Sequence, residues 1–417
     1  MATITDPPKA SFRLSMLLYD TRYRSLTIQA IFLLLMMAGA AWLVSNAIAN
    51  LAALGKTFDF SFLGNRAGYD INQALIEYNN NMTHGRAMLV GLLNTLLVAA
   101  MACVTATVIG VFMGILRLSP NWLISRLAAV YVEGFRNVPL LLWILVIFAV
   151  MTESMPQPSA FRGDSATASM LLFDSTAVTN RGVYTVAPQF VTGLGSIFLG
   201  PLEISLTFLV LAGVLVAGVL VNRLILAHAE KVQNDTGIRP KTWWKSILVI
   251  AGPFLALLWL MGFHWEYPEL RGFNFAGGTY MRNSLIAMWI ALSLYTGAFI
   301  AETVRAGIMA VSRGQTEAAG ALGLRPGKIM RLVILPQALR VIIPPMISQY
   351  LNIVKNSSLA LAVGYMDLRS TLGGITMNQT GRELEAMLLM MAIYLIISLV
   401  ISSAMNLYNS RVRLKER

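Results

Sequence analysis

Residues 315–336, QTEAAGALGLRPGKIMRLVILP, form a polar segment rich in small residues between two long apolar runs. The segment is too polar to lie in the lipid interior. Its local signals predict two short helices joined by a hinge. Thr316 is a helix-capping residue type, and Gly323 stands where a helix stop needs a left-handed residue, with Leu324 packing back across that stop. Pro326 then opens the second helix, where a first-turn proline is tolerated.

The two predicted helices differ in character. The first presents small side chains (Ala318, Ala319 and Ala321), over which the backbone of another protein can come close. The second is amphipathic, because Lys328 and Arg331 fall off its apolar stripe. That stripe consists of Ile329, Leu332, Val333 and Pro336.

Composition identifies a polytopic membrane protein. Of the 417 residues, 56% are hydrophobic and 12% are charged, mean hydropathy is +0.65, and the apolar residues come in runs of about 20. The formal charge of +12 comes from basic residues scattered between apolar runs, which is typical of membrane orientation rather than of nucleic-acid binding. The single cysteine, Cys103, excludes an intrachain disulfide.

The apolar runs predict eight spans. They lie at 26–48, 87–116, 137–153, 202–226, 246–263, 283–306, 341–365 and 386–408. The first run is too long for a signal peptide and lacks a cleavage site, so we interpret it as a retained span. With the N-terminus inside, inner segments hold 22 Lys and Arg residues and outer segments hold 9. This bias predicts that both termini and the segment 315–336 are cytoplasmic.

The spacing Glu317-Ala318-Ala319, Gly323 and Leu335-Pro336 resembles the EAA loop of ABC importer permeases. Val333 stands where isoleucine is commoner in that loop. Further stretches are similar to the amino-acid branch of that family, and they lie at 133–140, 302–308, 313–315, 335–340 and 355–359. The similarity covers residues 87–153 and 280–410 in the family's order. The chain looks most like the larger permease subunits of general L-amino-acid importers in Gram-negative bacteria.

The resemblance implies an all-α membrane helical bundle with a type I ABC importer permease core and a cytoplasmic coupling helix. It implies import of L-amino acids across the bacterial inner membrane by alternating access. The expected partners are an ABC ATPase dimer, a periplasmic amino-acid-binding protein and a second homologous permease, either another chain or a second copy. The residues expected to couple to the ATPase are Glu317, Ala318, Ala319, Gly323, Leu324 and Pro336, with Gly323 setting the angle between the two helices.

The chain contains no recognisable ATP site, so we expect partner ATPase subunits to bind ATP and Mg. Gly323 lies four rather than five residues before Gly327, and Ile329 replaces the Ser or Thr of a phosphate-binding loop. The three histidines flank spans, without spacing for a metal site or a nucleophile–base pair. We therefore expect a transport subunit that is not itself an enzyme and holds no cofactor or metal.

Lys355 lies inside the seventh apolar run, where an ionisable residue costs at least about 2.5 kcal/mol and faces a bundle interior or water. With Pro344 and Pro345 before it, it predicts a kinked or broken helix that lines a cavity. The alternative is a mispredicted span in which Lys355 reaches an interface. The neighbouring candidates for the translocation path are Asn352, Asn356, Ser357 and Ser358.

Weaker path candidates are Asn94, Tyr295, Thr296 and Glu302, for which an interhelical hydrogen bond or an interface position is equally compatible. Arg136 and Pro139 are typical of a basic anchor and a first-turn proline.

The expected organisation has five segments. Residues 1–86 hold the N-terminal tail, first span and an outer loop, and 87–153 hold the first part of the permease core. Residues 154–280 form an insertion, in which 154–201 has no periodicity that predicts a fold and the spans 202–226 and 246–263 form a helical pair. Residues 281–410 complete the core, and 411–417 form a basic cytoplasmic tail.

Two other classes remain open at this point. An ion-coupled secondary transporter would also be basic inside, but it needs coupling-ion groups within the bundle, and carboxylates are nearly missing from the spans. A membrane receptor or scaffold accounts for the loops but not for the ordered motifs. The sequence leaves open which amino acids are carried, which permease subunit holds a substrate site, whether the permease pair is homo- or heterodimeric, and what the insertion does.

Overall fold

The computed structural model describes residues 21–412, apart from 54, 56, 57, 164, 165, 200 and 201. Our expectations for the tail before residue 21 and for most of the tail 411–417 lie outside the described residues. The chain divides into two compact units between Phe62 and Leu63. Residues 63–86, which the sequence analysis grouped with the N-terminal segment, pack within the second unit.

The first unit contains one long helix, α1, Thr21–Ala53. Its 33 residues make it about 50 Å long at 1.5 Å per residue, and it has the length and hydropathy of a membrane span.

The second unit is a bundle built on long apolar helices. Those before the insertion are α2 (His84–Leu116), α3 (Trp122–Asn137) and α4 (Leu140–Ala149, continued as a π-helix Val150–Ser154), and those within it are α5 (Leu206–Thr236) and α6 (Trp243–Leu260). The helices after the insertion are α7 (Asn283–Met309), α8 (Arg313–Ala321), α9 (Pro326–Ile329, continued as a π-helix Met330–Ile334), α10 (Leu335–Asn356), α11 (Leu368–Ser370), α12 (Met377–Thr380) and α13 (Glu383–Val412).

Within the described ranges, seven helical stretches are long and apolar enough to cross a membrane. An eighth span results if the bent pair Trp122–Asn137 and Leu140–Ser154 counts as one, although its halves meet at 105°. The prediction of a helical membrane bundle with about eight spans is therefore confirmed. The predicted third span, 137–153, is shorter than a regular span and follows a sharp turn at Pro139, which has no N–H to continue α3.

The close approach of α2 and α7 organises the interior of the second unit. Ala102 and Ala106 of α2 and Leu292 and Ile300 of α7 are completely buried in one core cluster. A Cβ atom added at Gly110 would lie 2.5 Å from the Ile300 Cβ and 2.9 Å from the Gly297 carbonyl oxygen. Backbones therefore touch where small residues face each other, the packing mode of helices that cannot rely on hydrophobic burial from water.

The insertion contains β-structure that the sequence analysis missed. The described residues form nine short strands: β1 (Thr176–Thr179), β2 (Gly182–Thr185), β3 (Ala187–Phe190), β4 (Ser196–Leu199), β5 (Leu202–Ser205), β6 (Phe263–Glu266), β7 (Glu269–Arg271), β8 (Asn274–Ala276) and β9 (Thr279–Arg282). They make one three-stranded antiparallel sheet, in the order β1-β2-β9, and three antiparallel pairs, β3-β6, β4-β5 and β7-β8. Strands of three or four residues are too short to show an alternating pattern. The predicted helical pair is present as α5 and α6, and Gly218 of α5 lies against the backbone of α6 at Val249.

Where the sequence predicted a kinked or broken helix, the structure shows no break at Pro344 and Pro345. Both prolines lie inside α10, which runs without interruption from Leu335 to Asn356. The change of geometry comes later, where a 3₁₀-helix covers Ser357–Val363 and ends at Gly364 in the left-handed region. Leading into α10, the second predicted short helix is the start of a continuous stretch from Pro326 to Val363.

Gly110→Ala is expected to lower the thermal unfolding temperature of the detergent-purified protein by several degrees. The added methyl group has to displace the α7 backbone, at a cost of about 1–3 kcal/mol. Gly213→Ala is the matched control, because Gly213 of α5 has open space at the Cβ position and alanine favours helix. Equal unfolding temperatures for the two variants would contradict the close packing of α2 and α7.

Candidate functional site

The segment between α7 and α10 is a helical elbow, which we define as residues 313–329. Its first helix begins at Arg313, with Ser312 at the N-cap, so the prediction that Thr316 caps it is wrong. The helix stop is as expected. Gly323 has a φ of +76°, the Gly323 N–H donates to the Gly320 carbonyl at 2.9 Å, and the Leu324 N–H donates to the Ala319 carbonyl at 3.3 Å. These two bonds form a Schellman motif, which fixes the angle between α8 and α9.

The elbow uses few of its residues for its own packing. Ala319 and Ile329 are buried and Leu324 is half-buried, whereas Glu317, Ala318 and Pro336 are exposed. Leu322, which the sequence analysis did not single out, is 82% exposed at the end of α8. An exposed leucine beside alanines and glycines gives the elbow an apolar surface of low relief. The signal was present in the sequence, because Leu322 precedes the glycine of the helix stop.

A cluster of charges ties three helices together just before the elbow. The Glu302 carboxylate on α7 pairs with Arg117 at the end of α2 and with Arg305 at 2.6 Å. On α3, Arg136 lies 4.0 Å from Glu302 and stacks over the Phe299 ring at 5.4 Å. The Glu302 side chain is 26% exposed, so solvent screens these pairs only in part. Glu302 thus acts as an interhelical link, one of the two readings that the sequence left open.

Three of the candidates for the translocation path lie in the interior. Asn94 is completely buried, and its Nδ2 donates to the Gln73 carbonyl at 2.7 Å and to the Met366 carbonyl at 2.9 Å. Thr296 and Ser357 are also buried, and the Ser357 hydroxyl donates to the Val354 carbonyl at 2.7 Å. Each lies among packed helices of this chain, and the bonds of Asn94 and Ser357 hold neighbouring backbone.

Three of the other candidates, Asn352, Lys355 and Asn356, lie along one side of α10, while Ser358 follows in the 3₁₀-helix and Tyr295 lies on α7. Asn352 and Lys355 are exposed, Asn356, Ser358 and Tyr295 are half-buried, and the Ser358 hydroxyl donates to the Lys355 carbonyl at 2.8 Å. Lys355 forms no ion pair with any residue that the structure describes. Residues three apart on a helix share a face, so Asn352 and Lys355 make a polar stripe on the surface of the chain.

A buried carboxyl group follows the 3₁₀-helix after α10, and the sequence analysis did not find it. Asp367 is completely buried, its Oδ1 accepts hydrogen bonds from the Ser370 N–H at 2.8 Å and the Ser370 hydroxyl at 2.9 Å, and its Oδ2 has no partner among the described residues. Burial raises the pKa of the Asp367 carboxyl from 3.8 to about 6, which the hydrogen bonds from Ser370 only partly offset. No spacing in the sequence distinguishes Asp367 from an exposed helix cap.

The described helices and the elbow together define a membrane component of permease type, with a bundle that spans the bilayer and a short polar helix exposed at one end. Residues 243–414 match the family described as "Binding-protein-dependent transport system inner membrane component". The chain is 59% identical over 426 residues to the glutamate/glutamine/aspartate/asparagine transport system permease protein BztB of Rhodobacter capsulatus, covering 100% of both chains.

A further curated relative and one solved structure are also similar to this chain. The chain is 41% identical to the general L-amino acid transport system permease protein AapQ of Rhizobium johnstonii, covering 98% of this chain and 96% of the relative. Among solved structures, the crystal structure of an amino acid ABC transporter with histidines matches 79% of this chain and 95% of its own, with a TM-score of 0.44 and 19% identity.

The chain belongs to the family of amino-acid permeases of ABC transporters. It is a multi-pass membrane protein and a transport component. The resemblance read from residues 315–336 is confirmed at the level of the family, and the secondary-transporter alternative is not favoured.

Asp367→Asn is expected to change how stability depends on pH. Because the pKa of the folded Asp367 carboxyl is raised, the contribution of this group to the free energy of unfolding is fully present below about pH 4 and is lost as the pH rises through about 6. The variant stays neutral, so relative to the wild type it gains about 1 kcal/mol between pH 5 and pH 8. Thermal unfolding at the two pH values measures this gain, with the exposed Asp70→Asn as control. A difference between Asp367→Asn and wild type that is the same at both pH values would contradict an elevated pKa.

Proposed function

We propose that this chain forms half of an amino-acid translocation pathway in the inner membrane and that a separate ABC ATPase drives it by gripping the elbow. The observation that carries this proposal is the exposed, small-residue surface of α8 next to a helix stop fixed by Gly323. The chain would contribute the path and the lever, whereas ATP and Mg would be bound and hydrolysed by partner subunits.

The elbow has the properties of a docking element. On one side of α8, the bundle leaves Glu317, Ala318 and Leu322 exposed. Burial of an exposed leucine contributes about 1.5–3 kcal/mol to an interface. On the other side Ala319 is buried, and Gln337 of α10 donates to the Gln315 side chain at 3.4 Å. A force on α8 therefore passes to both α7 and α10.

The Glu302 cluster supports this transmission. It links the end of α7 that precedes the elbow to α2 through Arg117 and to α3 through Arg136, while Arg305 pairs with Glu302 within α7. When ATP draws two ATPase subunits together, each elbow would be displaced with its subunit. The linked helix ends would then move as a group and open the pathway outward, and hydrolysis would reset it.

The polar stripe of α10 supports a second permease as partner. A lysine inside a membrane span is not stable against lipid and must face water or another polypeptide. Lys355 and Asn352 are exposed on this chain alone, so the partner would complete a polar passage on that side. The partner would be a homologous permease, which is either a different chain or a second copy of this one.

Orientation and substrate are part of the proposal. We place the elbow and both termini in the cytoplasm, in keeping with the basic inner segments, and the inserted strands on the periplasmic side, where an amino-acid-binding protein would dock. The relatives are described as carriers of glutamate, glutamine, aspartate and asparagine or of general L-amino acids. Polar and acidic L-amino acids are therefore the substrates that we propose for this chain.

Gly323→Val is expected to reduce the amount of ATPase that co-purifies with the permease at least about fivefold. A β-branched residue cannot hold a φ of +76° without strain of about 1–2 kcal/mol, so α8 would leave its angle and lose its fit to the ATPase. Gly327→Val is the matched control, four residues away on the elbow, with open space and ordinary helical backbone. Retention of the ATPase by Gly323→Val at the level of Gly327→Val would contradict the docking role.

Asn352→Cys, made in a chain with Cys103→Ser and labelled with a maleimide-linked benzophenone that adds to the thiol, is expected to form a cross-link to the second permease when native membranes are illuminated. The Asn352 side chain is exposed on the surface that we assign to the permease pair. Ile353→Cys is the control, because Ile353 is next to Asn352 in the chain and its own side chain is completely buried. Cross-linked product is measured by gel electrophoresis. Absence of product from Asn352→Cys, with both permeases present in the membrane, would place the partner elsewhere.

A further inference from the structure

A cavity of about 510 Å³ lies where the inserted strands meet the ends of the core helices. The inserted residues at its wall include Asn180 and Arg181, in the turn between β1 and β2, and Tyr280 of β9. The core contributes Asn283 and Ser284, the first residues of α7, and Gly364 after the 3₁₀-helix. Its volume is in the range of small-molecule sites.

Two arginines are brought to this cavity by strand pairing. β2 and β9 are antiparallel, with Gly182 opposite Arg282, so Arg181 and Arg282 lie at the same end of the sheet. Neither arginine forms an ion pair with a residue that the structure describes. None of the described residues that line the cavity is an Asp or a Glu. The Arg282 Nε is buried and has no hydrogen-bond partner among the described residues.

The N-terminus of α7 adds to this positive potential. The helix has 27 residues, no acidic residue in its first turn and no side chain that caps its free N–H groups. Its first residues line the cavity. A helix N-terminus of this kind favours a negative charge.

Two amide oxygen atoms, on the residues next to the arginines in sequence, lack a hydrogen-bond donor and favour a positively charged ligand group. The Asn283 side chain, 4% exposed, donates from Nδ2 to the Asn180 carbonyl at 2.7 Å and to the Met151 carbonyl at 3.4 Å, which leaves its Oδ1 without a partner. The Asn180 Oδ1 is also buried without a partner among the described residues. A buried acceptor without a donor costs about 1–3 kcal/mol, so a ligand with N–H groups would be stabilised here.

We propose that this cavity binds a free α-amino acid as its zwitterion, with the carboxylate at Arg181, Arg282 and the N-terminus of α7 and the ammonium group at the Oδ1 atoms of Asn180 and Asn283. Guanidinium groups suit carboxylates, and unpaired amide oxygens suit an ammonium group. The proposal rests on the proposed function, which places the cavity at the periplasmic mouth of the pathway. The insertion thereby supplies a substrate site in addition to whatever lies deeper in the bundle.

The test is equilibrium binding of radiolabelled L-glutamate and L-glutamine to the purified permease complex, in detergent, without binding protein and without ATP. Arg282→Gln is expected to weaken binding at least about tenfold, because it removes one charged hydrogen-bond donor, and Arg282→Lys to retain most of it. Arg181→Gln is a second variant with the same expected direction, since Arg181 is exposed and its guanidinium donates to the Phe273 carbonyl at 3.3 Å. Arg271→Gln, on the insertion but paired with Glu269 at 3.1 Å, is the matched control.

Competitors test recognition of both charges. Glutarate lacks the α-ammonium group and 4-aminobutyrate lacks the α-carboxylate, so each is expected to compete at least about tenfold more weakly than L-glutamate. Wild-type binding by both arginine-to-glutamine variants, full competition by glutarate, or no binding of either amino acid to the wild type would overturn the proposal. ATP-driven uptake in vesicles is measured separately. Its failure, with arginine-dependent binding intact, would count against the proposed function alone.

Discussion

The second unit depends on the close packing of two helix backbones, α2 and α7. Gly110 and Gly114 of α2 face Gly297 and Ala301 of α7, so that a Cβ atom at either α2 position would lie within 3 Å of a carbonyl oxygen of α7. In lipid, apolar side chains gain little by leaving the solvent, so contact between small residues has to hold the helices together. Because α7 is thereby fixed as the central helix, both of its ends become defined positions in the molecule.

These two ends serve different purposes. After its last turn, α7 leads into the elbow, and Glu302 on that side is linked to α2 and α3 through arginines. Before its first turn, α7 continues from β9, and residues 282–284 enter the polar cavity with the inserted strands. One helix of 27 residues, about 40 Å long, therefore connects the surface assigned to the ATPase with the site assigned to the amino acid. This connection is the physical basis on which motion at one end can alter access at the other.

Under the proposed function, a second permease completes the translocation pathway of this chain. Its path candidates divide into residues such as Asn94, whose hydrogen bonds hold backbone in the interior, and residues such as Lys355, which the chain leaves exposed. Burying a polar group with its partners stabilises a fold, whereas an exposed charge at membrane depth needs a partner or water. Burial thus separates the polar residues that lie inside the bundle from those that the chain leaves exposed.

The sequence by itself determined the spans, the elbow and the family. Apolar runs of span length and the turn at Gly323 are local features, because hydropathy and backbone conformation act on neighbouring residues. It missed the strands, the buried Asp367 and the cavity, and it did not show that α10 continues without a break through Pro344 and Pro345. Only the tertiary structure decided these, since Gly182 and Arg282 become neighbours through pairing across a hundred residues, and burial of Asp367 depends on helices distant in sequence. Properties set by contacts between distant segments leave no periodic trace in the chain.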